Sequence, residues 1–161
     1  MSPPIPVIRS AAGNDLAALQ ELARRTIDAC YRSFLGDEAV DWFISSRASD
    51  DHIESHFRQG HVHCMEADGD VIGLVILDGA TIDLMMMDVR CQGQGFGRTL
   101  LAHAEEMLFA QYEELRLESF ADNRAANAFY EACGWSVVGP LESDGPTKIE
   151  LVRHRGAAAG S

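Results

Sequence analysis

The sequence has no CxxC pair, no apolar run long enough to cross a membrane, and few basic residues. Its four cysteines, Cys30, Cys64, Cys91 and Cys133, are scattered, the pattern of free thiols in a reducing compartment. The longest apolar stretches, such as residues 71–77, fall far short of the ~20 residues of a membrane span. The opening stretch MSPPIPVIR carries three prolines and neither a basic leader nor a long apolar region, so it does not read as a secretory signal. Together these absences predict a cytoplasmic protein with no membrane partner. The shortage of base is large. Against 25 Asp and Glu stand 13 Lys and Arg, a formal net charge of −12, which argues against nucleic-acid binding. The same charge tolerates a cationic partner, or serves solubility alone.

Internal repeats and linkers are also missing. With 161 residues, 47% of them apolar, the chain has the material for one compact core. One domain is expected over residues 1–155. The remainder, residues 156–161, has nothing to pack and is expected to be disordered.

What is present reads as alternating strands and helices. Residues 5–9 suggest a short strand. Leu16, Leu19, Ala23, Ile27 and Cys30 then fall on one helical stripe, with Asn14 at the N-cap and Gly36 as the break. DEAVDWFISS and DDHIESHFRQG read as two further helices, the first with Val40, Phe43 and Ile44 inward and the second ended by Gly60. Residues 61–67, 70–77 and 81–88 read as an antiparallel meander, because Asp68-Gly69 is a hairpin dipeptide and Asp78-Gly79 a second turn. A helix over residues 98–111, a strand over 115–120, a helix closed by Gly134 and two closing strands complete the chain. This order predicts an α/β (α+β) fold: a mixed sheet of about seven strands with helices on both faces.

Gly93, Gly95 and Gly97 alternate just before the fourth of those helical patterns. A strand, a glycine-rich turn and a helix N-terminus together expose backbone N–H groups that suit a phosphate, and glycine permits close approach and positive φ. A nucleoside-triphosphate loop needs GxxxxGK[ST], and Arg98-Thr99 stands where the lysine pair would. A dinucleotide fingerprint needs GxGxxG after an early βαβ unit. Here the spacing is GxGxG after a hairpin meander, although Glu114 and Glu118 lie near the right distance for its acidic residue. A tight turn without a ligand would not require three costly glycines.

VRCQGQGFGRTLL resembles the acetyl-coenzyme A loop of the GCN5-related N-acetyltransferases, R/Q-x-x-G-x-G/A, with Gln92, Gly95 and Gly97 in place. NRAANAFYEACGW resembles the same family's second block, with Asn123, Ala126, Tyr130, Gly134 and Trp135 matching. The resemblance covers roughly residues 60–152. Residues 10–60 carry no motif, and in this family they are where substrate choice varies. It implies a mostly antiparallel sheet splayed between the fourth and fifth strands, residues 81–88 and 115–121. It implies that acetyl-CoA is the co-substrate, with pantetheine on the backbone of Met85, Met86 and Met87. The pyrophosphate would lie over Gly93, Gln94, Gly95, Phe96, Gly97 and Arg98. Two positions depart from the pattern: Val89 stands where proline is common, and Gln92 replaces the commoner arginine, removing a positive charge. The side chains of the three methionines read as flexible core filling.

Acetyl transfer to an amine requires an ammonium of pKa about 10 to lose a proton and a thiolate, of conjugate pKa near 8.5, to gain one. By the resemblance Tyr130 is the general acid, a donation uphill by roughly 2 kcal/mol at unperturbed values. For the base two carboxylates compete. Glu118 lies twelve residues before Tyr130, a spacing similar to the ribosomal-protein alanine acetyltransferases, and Asp83 lies on the fourth strand. Asn123 orients the cofactor or a water, or caps its helix. Trp42, Phe43, Asp37, Glu38 and Asp41 lie in the variable region, as pocket wall or, for the aromatics, as core.

Three rival readings follow from other residues. His52 and His56 stand at i, i+4, with His61, His63 and Cys64 close behind. The cluster lacks the HExxH glutamate, and His61 and His63 would share one strand face with Cys64 on the other, so chance clustering and no metal are expected. Cys133 sits at a helix C-terminus, where the dipole raises a thiol pKa, so it is a poor nucleophile. A non-catalytic acyl-coenzyme sensor would keep the glycine loop without needing Tyr130. The expected partner is a small cationic amine or a peptide N-terminus. A homodimer is common in the family, and no residue pattern here shows one.

Overall fold

A computed structural model describes residues 5–142 and 144–156. The expected tail, apart from Gly156, lies outside the described residues. The strands are β1 (Val7–Ser10), β2 (Val62–Ala67), β3 (Asp70–Asp78), β4 (Thr81–Met87), β5 (Glu114–Phe120), β6 (Ser136–Leu141) and β7 (Lys148–His154). The helices are α1 (Asp15–Cys30), α2 (Arg32–Leu35), α3 (Asp37–Ser45), α4 (Ala48–Arg58), α5 (Phe96–Phe109) and α6 (Arg124–Ala132). The seven strands form one sheet in the order β1-β2-β3-β4-β5-β7-β6. Every neighbouring pair is antiparallel except β4 with β5. Among the described residues no helix is long and apolar enough to cross a membrane.

Local sequence explains the hairpins. Asp68 and Gly69 both adopt positive φ, 53° and 83°, the pair of left-handed residues that a two-residue primed turn requires. The sheet they start divides the apolar residues between two cores. On one face α1, α3 and α4 bury Leu19, Leu22, Ala23, Ile27, Val40 and Ile53 against Cys64, Leu74, Ile76 and Met86. On the other, α5 and α6 bury Leu100, Leu101, Ala104 and Tyr130 against Val75, Ile82, Met87, Leu115 and Leu117. Each fully buried leucine is worth about 1.5–3 kcal/mol relative to exposure, so the two faces together set the register of the central strands.

Several boundaries differ from the sequence expectation. Asn14 occupies the N-cap of α1, yet its side chain makes no capping bond. Asp15 instead reaches back to the incoming chain, accepting from the Ala12 N–H at 2.8 Å while pairing with Arg9. The long first helix stops at Cys30, and a separate turn, α2, carries the chain to Gly36, whose φ of 87° ends it. Helix α5 begins at Phe96, inside the glycine run, because Gly97 is helical and packs against Met87 and Phe129. Trp42 is 61% exposed and so is not core. Asp37 and Asp41 are engaged by Arg32.

One buried charge connects the two halves of this frame. Asp88, fully buried just past β4, accepts from the Arg90 guanidinium at 2.7 Å, from the Arg90 N–H at 3.0 Å, and from Arg25 of α1 at 2.7 Å. These bonds, Arg90's first, hold its carboxyl well below the usual carboxylate range although burial pushes the other way. The lock fixes the short 3-10 turn over Val89–Cys91 that leads into the glycine run. Asp88→Asn is expected to cost about 3 kcal/mol, since it removes the buried negative charge that Arg25 and Arg90 share. A folded pKa below the unfolded value of about 3.9 means that this stability is present above that pH and is lost as pH falls through the folded value. Urea unfolding should therefore show a constant gap between wild type and variant near neutrality that closes below about pH 4. Equal stabilities near neutrality would mean that no such lock exists.

Candidate functional site

Strands β4 and β5 pair at only two positions, Thr81 with Arg116 and Ile82 with Leu117, and then part. The register of β3 against β4 shows one cause. Ile76 pairs with Leu84 and Leu77 with Ile82, leaving Asp83 as an extra, bulged residue on β4. A bulge bends its strand and re-aims its side chain. Meanwhile β5 stays paired with β7 along its whole length to Phe120. The result is a cleft of about 410 Å³ between β4 and β5, closed on one side by α6 and on the other by α1, α3 and α4.

The expected catalytic residues all line this cleft. Ile82 and Leu117, the last paired residues, both point into the core under α5 and α6. Asp83 and Glu118, the next residue on each strand, therefore fall on the opposite face, towards α1–α4. They flank the point where the sheet opens. Glu118 is exposed and has no hydrogen bond or ion pair among the described residues. Asp83 is engaged: His52 Nε2 lies 2.6 Å from its Oδ2. That contact holds the Asp83 carboxyl below its ordinary range and raises the His52 imidazole.

Tyr130, on α6, is buried against Phe129 and Trp135. Burial, with a smaller effect from Tyr31, holds its phenol well above the ordinary range, so it keeps its proton. Tyr31 itself is pushed up to about 12 by burial. The Asn123 Oδ1 accepts from the Ala126 N–H at 3.4 Å, which makes it the cap of α6, and the residue also lines the cleft. The neighbouring Asn127 holds the end of β5 to α6, donating to the carbonyls of Phe120 and Ala121.

At the open end of β4, Gly93 and Gly95 take φ of 80° and 85°. Gly95 is the N-cap of α5, and the loop from Gln92 to Gly95 is exposed. The amides of residues 93–98 have no acceptor among the described residues, so they stand free to bind an anion at the positive end of the helix dipole. Phe96 anchors the helix start in the core and Arg98 is exposed beside it. The Gln92 side chain donates to the Met87 carbonyl at 3.2 Å, bracing the strand end. Met86 packs under α1, Met87 under α5, and Met85 lies half-buried at the cleft, so the three side chains are mainly packing.

A histidine group borders the cleft. His52 and His56 from α4 converge on Asp83, and His56 also meets His61, Nδ1 to Nδ1, at 2.9 Å. The expected sharing of a strand face by His61 and His63 does not occur, because His61 precedes β2. The i, i+4 spacing was the visible signal. The missing part was Asp83, which the bulge supplies. Tyr31, Phe120 and Lys148, the only lysine in the chain, complete the wall near His52. Tyr31 and Phe120 meet edge to face at 6.1 Å, and Lys148 lies over the Phe120 ring at 5.4 Å.

The sequence profile of the acetyltransferase (GNAT) family matches residues 21–135, which includes both the glycine loop and the Tyr130 segment. No curated protein matches the sequence. Among solved structures, PaiA N-acetyltransferase from Thermoplasma acidophilum in complex with coenzyme A is 20% identical, covering 93% of this chain and 99% of that one with a TM-score of 0.79. YjaB from Escherichia coli, in its apo form, is 24% identical over 95% of this chain and 99% of that one, with a TM-score of 0.75. A ribosomal-protein-alanine N-acetyltransferase from Brucella melitensis is 23% identical over 92% and 99%, with a TM-score of 0.67. At these identities the similarity is one of fold.

Proposed function

Because the chain belongs to the acetyltransferase (GNAT) family, a family of acyltransferases, we propose that it transfers acetyl from acetyl-coenzyme A to a primary amine by direct attack in one ternary complex. The observation that carries this reading is the parting of β4 from β5 with the uncapped amides of residues 93–98 at its mouth. The inner edge of β4 beyond Ile82 offers N–H and C=O groups to the amides of a pantetheine arm, and the helix end suits a pyrophosphate. The solved PaiA structure contains coenzyme A, which supports the same ligand here.

The chemistry balances without a covalent enzyme intermediate. The amine nitrogen bonds to the acetyl carbon and the carbon–sulfur bond breaks. The ammonium gives up two protons, one to the base before attack and one as the adduct collapses, the departing thiolate gains one, and one proton is released overall. Glu118 is the proton acceptor in this proposal, directly or through water, because its carboxylate is unengaged whereas Asp83 already holds His52. Tyr130 is the donor. Its raised pKa makes donation harder against a thiolate in water, but burial at the same spot raises the thiol as well. The two carboxylates and the net charge of −12 favour a cationic acceptor, as a small amine or a peptide N-terminus. The setting proposed is the cytoplasm, consistent with four free cysteines. A sensor that only binds the acyl-coenzyme would have no use for Tyr130 in the cleft.

Calorimetry with coenzyme A and its acetyl ester is expected to give one site, and no heat with either would sink the proposal. Gly95→Ala places a Cβ on a residue of φ 85°, a strain of about 1–2 kcal/mol, and should weaken that binding by about tenfold. With thiol release as the readout over a panel of amines, Tyr130→Phe should lower kcat by about 10²-fold with little change in cofactor affinity. A large loss of binding instead would refute the acid assignment. Glu118→Gln should lower kcat/KM by a similar factor of about 10² for alkyl amines. That deficit should shrink for amines whose ammonium pKa lies below the assay pH, since these arrive already neutral. A deficit independent of amine pKa would assign Glu118 to binding.

A further inference from the structure

We propose that His52, His56 and Asp83 form a three-ligand site for a divalent late-transition ion of the zinc class at the acceptor end of the cleft. Two imidazoles at i, i+4 on one helix and a carboxylate from a facing strand are a donor set that suits zinc, cobalt(II) or nickel(II) and leaves a position open. The donor atoms lie within 4.8 Å of one another. Ligands at about 2.0–2.2 Å in a tetrahedral arrangement stand about 3.3–3.5 Å apart. The observed separations from Asp83 Oδ2, 2.6 Å to His52 Nε2 and 3.8 Å to His56 Nε2, bracket that value. An ion between them requires the first pair to open and the second to close.

The hydrogen bonding of His56 supplies a second, independent argument. Its Nδ1 and that of His61 are 2.9 Å apart, so one carries a proton and the other accepts it. With His56 as donor, its Nε2 is a bare lone pair facing a carboxylate oxygen at 3.8 Å, two acceptors pointed at each other. With His61 as donor, the His56 Nε2–H faces that oxygen beyond hydrogen-bond reach. A cation between them satisfies the first arrangement completely. It also gives the usual form of a metal-bound histidine, whose second ring nitrogen donates to a fixed partner. His56 is nearly buried, with 12% of its side chain exposed, while His52 and Asp83 remain open to the cleft. One group opposes binding: the Lys148 ammonium is felt at both His52 and Asp83.

The open position faces the space where the acceptor amine would sit. A neutral amine bound there has its lone pair on the ion and cannot attack the acetyl carbon, so on the function proposed above the ion inhibits and excess amine does not relieve it. Binding itself does not depend on that function. The test is titration of chelator-stripped protein with zinc against a chromogenic chelator, with cobalt(II) as an optical probe. One equivalent is expected at micromolar affinity or tighter, with visible bands of four- or five-coordinate intensity. His56→Ala and Asp83→Ala should each weaken it at least tenfold. His61→Ala should weaken it less, since it acts through His56, and Lys148→Met should tighten it. The double variant His63→Ala/His154→Ala should bind as wild type does. Circular dichroism without metal identifies any variant that fails to fold. In that event, zinc protection of His52 and His56 from acylation by diethyl pyrocarbonate, mapped on the wild type by mass spectrometry, decides the matter. No zinc bound by the folded wild type, or unchanged binding in the folded His56 and Asp83 variants, overturns the site. Neither readout uses acetyl-coenzyme A, so an inactive protein that binds zinc in this way would count against the acetyltransferase reading alone.

Discussion

The site depends on a ladder that stops. After Ile82 and Leu117 the inner edges of β4 and β5 no longer pair, although both strands continue. Each strand remains paired at its outer edge, β4 to β3 and β5 to β7, so the sheet holds while its middle opens. Unpaired backbone groups in a sheet demand partners. The coenzyme proposed above would fill the gap as an added strand, a mode in which main-chain bonds supply affinity and the walls supply selection. The bulge at Asp83 serves two ends at once. It turns β4 away from β5, and it aims a carboxylate at α4 that a regular strand would have spaced differently.

The parted strands need an anchored rim, and polar residues provide it at both ends. Asp88 ties the exit of β4 to α1 through Arg25, and Gln92 returns a hydrogen bond to the Met87 carbonyl. Across the cleft, Asn127 clamps the last carbonyls of β5 to α6. The glycine run then departs from a fixed point. Its freedom is confined to Gly93 and Gly95, where positive φ turns the amides outward, whereas Gly97 is a packing residue beside Met87 and Phe129.

Much of this was legible in the residues, for reasons of range. The hairpin at Asp68-Gly69, the glycine loop and the Asn123–Trp135 segment each depend on local chemistry, and each appears where the pattern put it. The antiparallel meander followed from the alternation of elements, whereas the insertion of β7 between β5 and β6 had no signal in the pattern. What escaped depends on residues far apart. His52 and Asp83 are 31 positions apart, and Arg25 and Asp88 are 63. No periodicity connects them; only the packing of α1 and α4 on the sheet does. Trp42 shows the converse error. Its aromatic ring suggests core or pocket wall, yet α3 turns it to solvent and gives the cleft Phe43 instead.

The cleft thus joins two environments that oppose each other. On the α6 side Tyr130 is enclosed by Phe129 and Trp135, a setting that disfavours charge and keeps a phenol protonated. On the α4 side Asp83, Glu118, His52 and Lys148 gather charge of both signs in partial contact with water. A reaction in which a cation arrives and a thiol departs needs this asymmetry, since the arriving charge must be solvated and the departing thiolate must meet a proton donor out of water. The parted sheet lies between the two and keeps them on opposite faces. On the function proposed above, this geometry would set the direction of proton flow: acceptor protons towards the charged α1–α4 face, and the replacing proton from beneath α6.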